Sequence, residues 1–159
     1  MEGIVSNQGR VDGLHMSPGG VPKLPIGEAV VTDLGIAGDG HNWEGHGGPL
    51  RALCLFSTEV ISRLQQEGHP IAPGFAGENV TIGGLDWASV RPGRRYRLGA
   101  VVEVEITEYT TPCSKITGCF SDGDISRILQ SKHPGESRVY AKVLRPGTLR
   151  VGDPVAELD

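Results

Sequence analysis

The chain has 159 residues, enough for one domain with a core of its own and without a disulfide or a structural metal. Hydrophobic residues make up 38% of it and charged residues 21%, which is the composition of a globular rather than a disordered protein. The net charge of −4 argues against a general nucleic-acid surface, and no stretch approaches the ~20 apolar residues of a membrane span. We therefore expect a single domain over residues 1–159, with neither a nucleic acid nor a membrane as partner.

The 24 glycines and 11 prolines are spread along the chain and predict turns between short strands. In chain order, strands are predicted at residues 3–6, 29–32, 50–56, 79–82, 94–99, 101–107 and 138–144, and a last short strand is predicted at the end of the turn-rich stretch 145–155. The alternation is clearest where Val102, Val104 and Ile106 share one face. Two short helices are predicted, at residues 57–67 with Ser57 as N-cap and at residues 122–132. The pattern favours a mostly β fold, a closed or nearly closed β-barrel with two short peripheral helices.

The first residues contain no basic region followed by an apolar run, so no secretory signal is predicted. Three cysteines do not form a disulfide framework, and we expect a cytoplasmic protein with reduced thiols. A basic cluster of Arg91, Arg94, Arg95 and Arg97 is interpreted as the solvated end of a hairpin.

The three cysteines differ in context. Cys54 lies inside an apolar strand and is interpreted as a core residue. Cys113 follows Pro112 at a strand end, and Lys115 two residues later can stabilise its thiolate, the form that acts as nucleophile or metal ligand. Cys119 is either a core residue or a thiol that resolves an oxidised Cys113.

Two glycine-rich stretches are the other candidate binding segments. In the first, over residues 38–53, backbone amides near Gly48 can approach an anion, and Arg51 needs a partner if it is buried. The second, residues 73–81, places Glu78 and Asn79 at a strand start. The standard nucleotide motifs and the zinc spacings are absent, and the spacing of His41, His46 and Cys113 gives no support for a metal site.

Three segments together, Gly-Gly-Pro-Leu-Arg-Ala-Leu at 47–53, Gly-Glu-Asn-Val-Thr at 77–81 and Pro-Cys at 112–113, resemble the MOSC family. The family is named for the C-terminal domain of molybdenum cofactor sulfurase. The order and spacing are similar to those of small, free-standing bacterial members, and the resemblance runs from about residue 3 to the C-terminus. It implies a β-barrel, which agrees with the strand pattern.

The resemblance also implies binding of the molybdenum cofactor (molybdopterin). The reactive cysteine of the family maps onto Cys113, which implies either a molybdenum ligand in the reduction of N-hydroxylated compounds or a persulfide carrier in sulfur transfer. Asn79 matches a residue that helps to hold the pterin. We expect Cys113 as the catalytic residue and metal ligand, and as cofactor-binding residues Gly48, Arg51, Asn79 and Lys115. The expected partners are a small molecule and a redox or sulfur-donor protein.

Two features depart from the family. Thr110 and Thr111 stand where relatives often carry an arginine before the Pro-Cys pair, and the chain lacks the extra N-terminal β domain of the reductase branch. The alternatives are a non-catalytic cofactor carrier, and a cysteine-dependent lyase or transferase of thiol compounds on the same barrel. We also predict that residues 47–51, 77–79 and Cys113 line one cleft.

Overall fold

The computed structural model describes residues 7–18, 21–39 and 48–158. Its strands are β1 (Gln8–Met16), β2 (Leu24–Ile26), β3 (Glu28–Thr32), β4 (Gly35–Ile36), β5 (Leu53–Ser57), β6 (Val80–Gly83), β7 (Arg95–Leu98), β8 (Val102–Tyr109), β9 (Val139–Arg145), β10 (Gly147–Arg150) and β11 (Pro154–Leu158). The α-helix is α1 (Thr58–Gln66), and short 3₁₀ turns form at Pro49–Arg51, Trp87–Ser89, Ser114–Cys119 and Ile125–Ile128. The strand predicted at residues 3–6 lies outside the described residues.

Seven strands close into a barrel in the order β1-β11-β7-β8-β9-β5-β6, and β6 pairs back onto β1. Strands β5 and β6 run parallel, and the other neighbouring pairs of this ring are antiparallel. Strand β2 extends the sheet beyond β1, while β10, β3 and β4 form a separate three-stranded sheet. The predicted mostly β barrel is therefore confirmed.

The interior of the barrel is apolar, as the alternation in β8 predicts. Val102, Val104 and Ile106 are at most 1% exposed, and Glu103 and Glu105 between them point outward to arginines of β7. Opposite them, Val139 and Ala141 of β9 are fully buried. These inward-facing side chains are buried away from water, and each Å² of apolar surface that is buried stabilises the fold by roughly 25 cal/mol. Their burial is the main source of stability.

Helix α1 forms as predicted. The Ser57 hydroxyl accepts a hydrogen bond from the Val60 amide at 3.2 Å, so Ser57 is the N-cap. Val60, Ile61 and Leu64 form the buried face of the helix.

The second helix lies in the predicted region but is much shorter than residues 122–132. It is a single 3₁₀ turn at Ile125–Ile128. Gly123 has a φ of 71°, and the Asp124 side chain accepts a hydrogen bond from the Ser126 amide. The turn therefore begins only at Ile125. Leu129 adopts an extended conformation and ends it. None of the helices in the described part of the chain has the length and apolar character needed to span a membrane.

Candidate functional site around Cys113

The site is built on the outer face of the barrel wall, beside β5, β8 and β9. Leu53 and Leu55 pair with Ala141 and Val139, which face the core, whereas Cys54 between them pairs with Tyr140. Because cross-strand partners share a face of a sheet, Cys54 points away from the barrel interior. It is only 6% exposed, so loops must cover it. Cys54 is buried as predicted, but it does not face the apolar core.

A set of buried side chains, which we call the polar cluster, surrounds this position: Cys54, Glu78, Thr110, Cys119 and Arg138. The Cys54 Sγ and Thr110 Oγ1 atoms are 3.8 Å apart. The Thr110 amide donates to the Arg138 carbonyl at 2.9 Å, which joins the end of β8 to the start of β9. Both buried thiols lie close enough to Glu78 and Arg138 for those two charges to affect their pKa values.

Glu78 is the fully buried carboxyl group of the polar cluster. Its Oε2 atom accepts from the Gly74 amide at 2.8 Å and from the Thr81 hydroxyl at 3.4 Å. Its Oε1 atom is buried without a partner. Burial raises the pKa of Glu78 to about 6, although the two hydrogen bonds and the nearby Arg138 charge oppose that rise. With a pKa of about 6, Glu78 is partly protonated at pH 6 and mostly ionised at pH 7.5.

The two buried thiols of the polar cluster remain protonated. Burial raises the pKa of Cys54, and the charge of Arg138 only partly offsets this effect. Burial also raises the pKa of Cys119 to about 11. Since the thiolate is the reactive form, neither thiol is a nucleophile in this arrangement.

Asn79 lies at the centre of a second buried group, the Asn79 network, which it forms with Lys23 and Asp39. Its Oδ1 atom accepts from the Cys54 amide at 3.0 Å, and its Nδ2 atom donates to Asp39 Oδ2 at 2.9 Å. Lys23 Nζ contacts the same carboxylate oxygen at 2.5 Å, and both of these charged side chains are at least 90% buried. Asn79 thus links the backbone of β5 to the buried ion pair of Lys23 and Asp39.

His15 lies between the polar cluster and the Asn79 network. It is 4% exposed and its Nδ1 atom has no partner. Its ring would contact any side chain placed at Gly74, the residue whose amide binds Glu78. Burial, with a smaller contribution from the Lys23 charge, lowers the pKa of His15, so the neutral imidazole is favoured.

Cys113 is on the surface, three residues after Thr110 of the polar cluster. It is exposed, whereas Cys54 and Cys119 are buried. Only two residues separate it from Thr110, so their Cα atoms lie within about 11 Å of each other. Cys113 precedes the 3₁₀ turn Ser114–Cys119, which carries the exposed Lys115 and ends in the polar cluster. The segment that bears Cys113 is therefore anchored to the cluster at both ends.

Cys113 and Cys119 are both free thiols in this structure, the first exposed and the second buried. The segment that joins them consists of two short 3₁₀ turns with a kink at Ile116. The role of Cys119 as a thiol that resolves an oxidised Cys113 stays a prediction.

The predicted binding residues Gly48 and Arg51 lie on the same outer side of the barrel. Gly48 is exposed with φ of 82°, a left-handed conformation that favours glycine. Arg51 Nη2 forms an ion pair with Glu108 at 2.9 Å, and its guanidinium lies 5.1 Å from the centre of the Tyr140 ring. Tyr140 is the cross-strand partner of Cys54, so Arg51 is close to the polar cluster. The common cleft with Cys113 stays a prediction.

The described residues contain no group of three or more His, Cys, Asp or Glu side chains that could hold a metal ion. His41 and His46, together with Gly47, lie outside those residues.

Sequence reasoning missed Lys23, Asp39 and Arg138. Lys23 and Asp39 stand in turn-rich segments, where a charged residue normally faces water. Arg138 was included in a predicted strand but without a role, although it lies across from Thr110 at the start of β9. A lone arginine among strand residues was the available signal.

Comparison with known proteins identifies the family of the chain. The family profile described as MOSC domain matches residues 43–156. Protein YiiM of Escherichia coli (strain K12) is 30% identical over 145 residues, which cover 87% of this chain and 63% of that protein. A protein named Reductase from Gibberella moniliformis is 27% identical over 138 residues, covering 84% of this chain and 24% of that protein.

The crystal structure of YiiM from Escherichia coli has a TM-score of 0.71 with this fold at 26% identity, covering 96% of this chain and 70% of that one. The chain spans about three-fifths of the length of the first curated relatives that it matches. The profile match covers most of the chain and includes the Asn79 and Cys113 segments. The chain belongs to the MOSC domain family.

Proposed function

We propose that this protein binds the molybdenum cofactor and uses the Cys113 thiolate as a molybdenum ligand in the reduction of a small molecule. The observation that carries the proposal is that Cys113 is an exposed thiol anchored to a buried polar cluster, whereas Cys54 and Cys119 are buried. A soft thiolate is a suitable ligand for a metal of this kind. When bound, the cofactor supplies a redox-active metal centre, and the protein supplies binding and orientation.

The residues around Cys113 fit a polar, heterocyclic cofactor with a phosphate. His15 Nδ1, Glu78 Oε1 and Arg138 Nε are buried polar atoms without a partner, and they would offer hydrogen-bond acceptors and a donor to a cofactor that displaces the loops covering them. Lys115 and the amides near Gly48 would add positive charge and N–H donors at the surface, and Arg51 would contribute a guanidinium from the barrel wall. Asn79 would act by fixing the position of Cys54 and Asp39, because its amide already bonds to both.

A relative named Reductase supports the proposal that the reaction is a reduction, although this chain covers only 24% of that protein. N-hydroxylated compounds are the substrate class that the family resemblance implies, and a redox protein would then deliver the electrons. A persulfide on Cys113 that carries sulfur is the second candidate function, because the same exposed thiol would serve it. A cofactor carrier without turnover would need Cys113 only for binding.

The test is purification from a host that makes the cofactor, followed by analysis of molybdenum and oxidised pterin. We expect both in the wild-type protein, together with reduction of an N-hydroxylated test compound by a reduced viologen dye. Cys113→Ser should abolish the activity, and Cys119→Ser is the matched control that should retain it.

The outcomes separate the alternatives. Wild-type protein without molybdenum and pterin would contradict cofactor binding. Cofactor without turnover would favour the carrier, and a mass increase of one sulfur atom on Cys113 after exposure to a sulfur donor would favour sulfur transfer. A fully active Cys113→Ser variant would contradict both functions of the thiol.

A further inference from the structure

Arg138 has fewer partners than its burial requires. It is only 6% exposed, and its Nη1 atom donates to the Ala76 carbonyl at 2.6 Å. Its Nε atom is fully buried and has no partner. A guanidinium carries five N–H donors and keeps its positive charge in proteins, so leaving these donors unused in the interior is costly.

No neighbouring group in the described part of the chain neutralises Arg138 by direct contact. Glu78 is near enough for the Arg138 charge to lower its pKa, but the two side chains form no ion pair, and Glu78 Oε1 is itself unpartnered. The Cys54 and Cys119 thiols next to it remain protonated because burial raises their pKa values. Lys23 and Asp39 already pair with each other.

We propose that Arg138 binds an oxyanion, a phosphate or carboxylate group, of the small molecule whose reacting end reaches Cys113. A planar guanidinium can offer two parallel N–H donors to such a group, and Arg138 Nε is the donor that still lacks a partner. The Arg138 carbonyl binds the Thr110 amide, and Cys113 follows three residues later, so one molecule can contact both residues. The identity of the reacting end rests on the proposed function, whereas the oxyanion site can be tested without the cofactor.

A buried water molecule is the ordinary alternative partner of Arg138 Nε. Water would satisfy the donor without any preference for anions. A specific effect of phosphate over chloride at equal ionic strength therefore distinguishes the two explanations.

The experiment uses the full chain without cofactor and inorganic phosphate as the probe. Calorimetric titration and thermal melts are run at constant ionic strength with chloride, at pH 6, where Glu78 is partly protonated and repels an anion less. The groups that face Glu78 are the Arg138 guanidinium and the Cys54 and Cys119 thiols. Both thiols stay protonated at this pH. We expect phosphate to raise the melting temperature of the wild-type protein, as any ligand of the folded state does.

Arg138→Met should weaken phosphate binding by about tenfold or more, the loss expected for a charge-assisted hydrogen bond. Arg138→Lys keeps the positive charge without the planar guanidinium, so it should bind phosphate with intermediate affinity. This variant also tests the proposal if the methionine variant folds poorly. Arg127→Met is the matched control, because Arg127 is also a sheltered arginine but is already paired with Glu67 and Glu136. No phosphate effect on the wild type, or equal binding by all the variants, would overturn the proposal.

A second arm identifies the source of the oxyanion. In cofactor-loaded protein, loss of pterin from Arg138→Lys would assign the site to the cofactor phosphate. Retained pterin with a higher KM for an anionic substrate, but not for its neutral analogue, would assign it to the substrate. If neither changes, Arg138 does not contact the ligand. Protein that contains no molybdenum would contradict the proposed function but would leave the phosphate titration valid.

Discussion

Replacing Glu78 with glutamine should change how the stability of the fold depends on pH. Glu78 is fully buried, and burial raises its pKa from 4.5 to about 6. The folded state therefore binds this proton more tightly than the unfolded state does. Glutamine keeps the shape and an acceptor for the Gly74 amide but carries no titrating group, so the difference between the two proteins isolates the carboxyl.

The sign follows from proton linkage. A pKa that is raised in the folded state gives a contribution that is complete below pH 4.5 and is lost as the pH rises through about 6. At about 1.4 kcal/mol for each unit between the two pKa values, the loss comes to about 2 kcal/mol. The free energy of unfolding of the wild type, relative to Glu78→Gln, should therefore be about 2 kcal/mol lower at pH 7.5 than at pH 4.

The assay is urea unfolding of both proteins at a series of pH values between 4 and 7.5. Glu105→Gln is the matched control, because a hydrogen bond from Arg95 lowers the pKa of that half-buried carboxyl on the barrel surface, and its contribution is lost as the pH falls. The two variants should thus differ from the wild type with opposite slopes. If the wild type and Glu78→Gln show parallel curves, Glu78 is not a buried titrating group and the account of the polar cluster is wrong.

Three further predictions concern the same region. Alkylation of the native protein, followed by mass spectrometry, should label Cys113 well before the two buried cysteines, whose labelling requires local opening; equal rates would contradict the assigned exposure. Asn79→Ala should reduce the free energy of unfolding in urea by about 1–3 kcal/mol, because it leaves the buried Cys54 amide without its partner and removes one of the hydrogen bonds of Asp39, which keeps those from Lys23 and the Ser17 amide; a cost below 1 kcal/mol would refute this role. Lys23→Met should cost about 3–5 kcal/mol by leaving the Asp39 charge unpaired, and adding Asp39→Leu should restore part of it; additive losses in this double-mutant cycle would show that the pair is not coupled.

Strands with a regular period could be predicted from the sequence, and irregular ones could not. The alternation in residues 101–107 predicts β8, and Ser57 predicts the start of α1. Strand β1 was missed because Gly9, Asp12 and Gly13 interrupt its pattern and a bulge between Val11 and Gly13 shifts its register. Gly9 is required there because a Cβ atom would lie 2.2 Å from the Gly83 carbonyl oxygen, a contact that no strand propensity reveals.

The thiol of the candidate site could be predicted from the sequence, but its surroundings could not. Pro112 at the end of a strand indicates an exposed Cys113, and the structure places it on the surface. Arg138 and Glu78 are separated by 60 positions and meet only because β9 and β6 flank β5 in the barrel. An apolar sequence around Cys54 likewise cannot tell which face of β5 points to the core, since both faces are buried.

Polar groups without a partner are concentrated in one region of the fold. Four buried side-chain polar atoms in the described residues have no partner, and three of them belong to His15, Glu78 and Arg138. An atom that stayed without any partner would cost about 1–3 kcal/mol, so each of these atoms needs either a buried water molecule or a ligand. A water molecule satisfies Arg138 Nε equally well in phosphate and in chloride, whereas an oxyanion site prefers phosphate. The phosphate titration therefore decides which of the two partners Arg138 has.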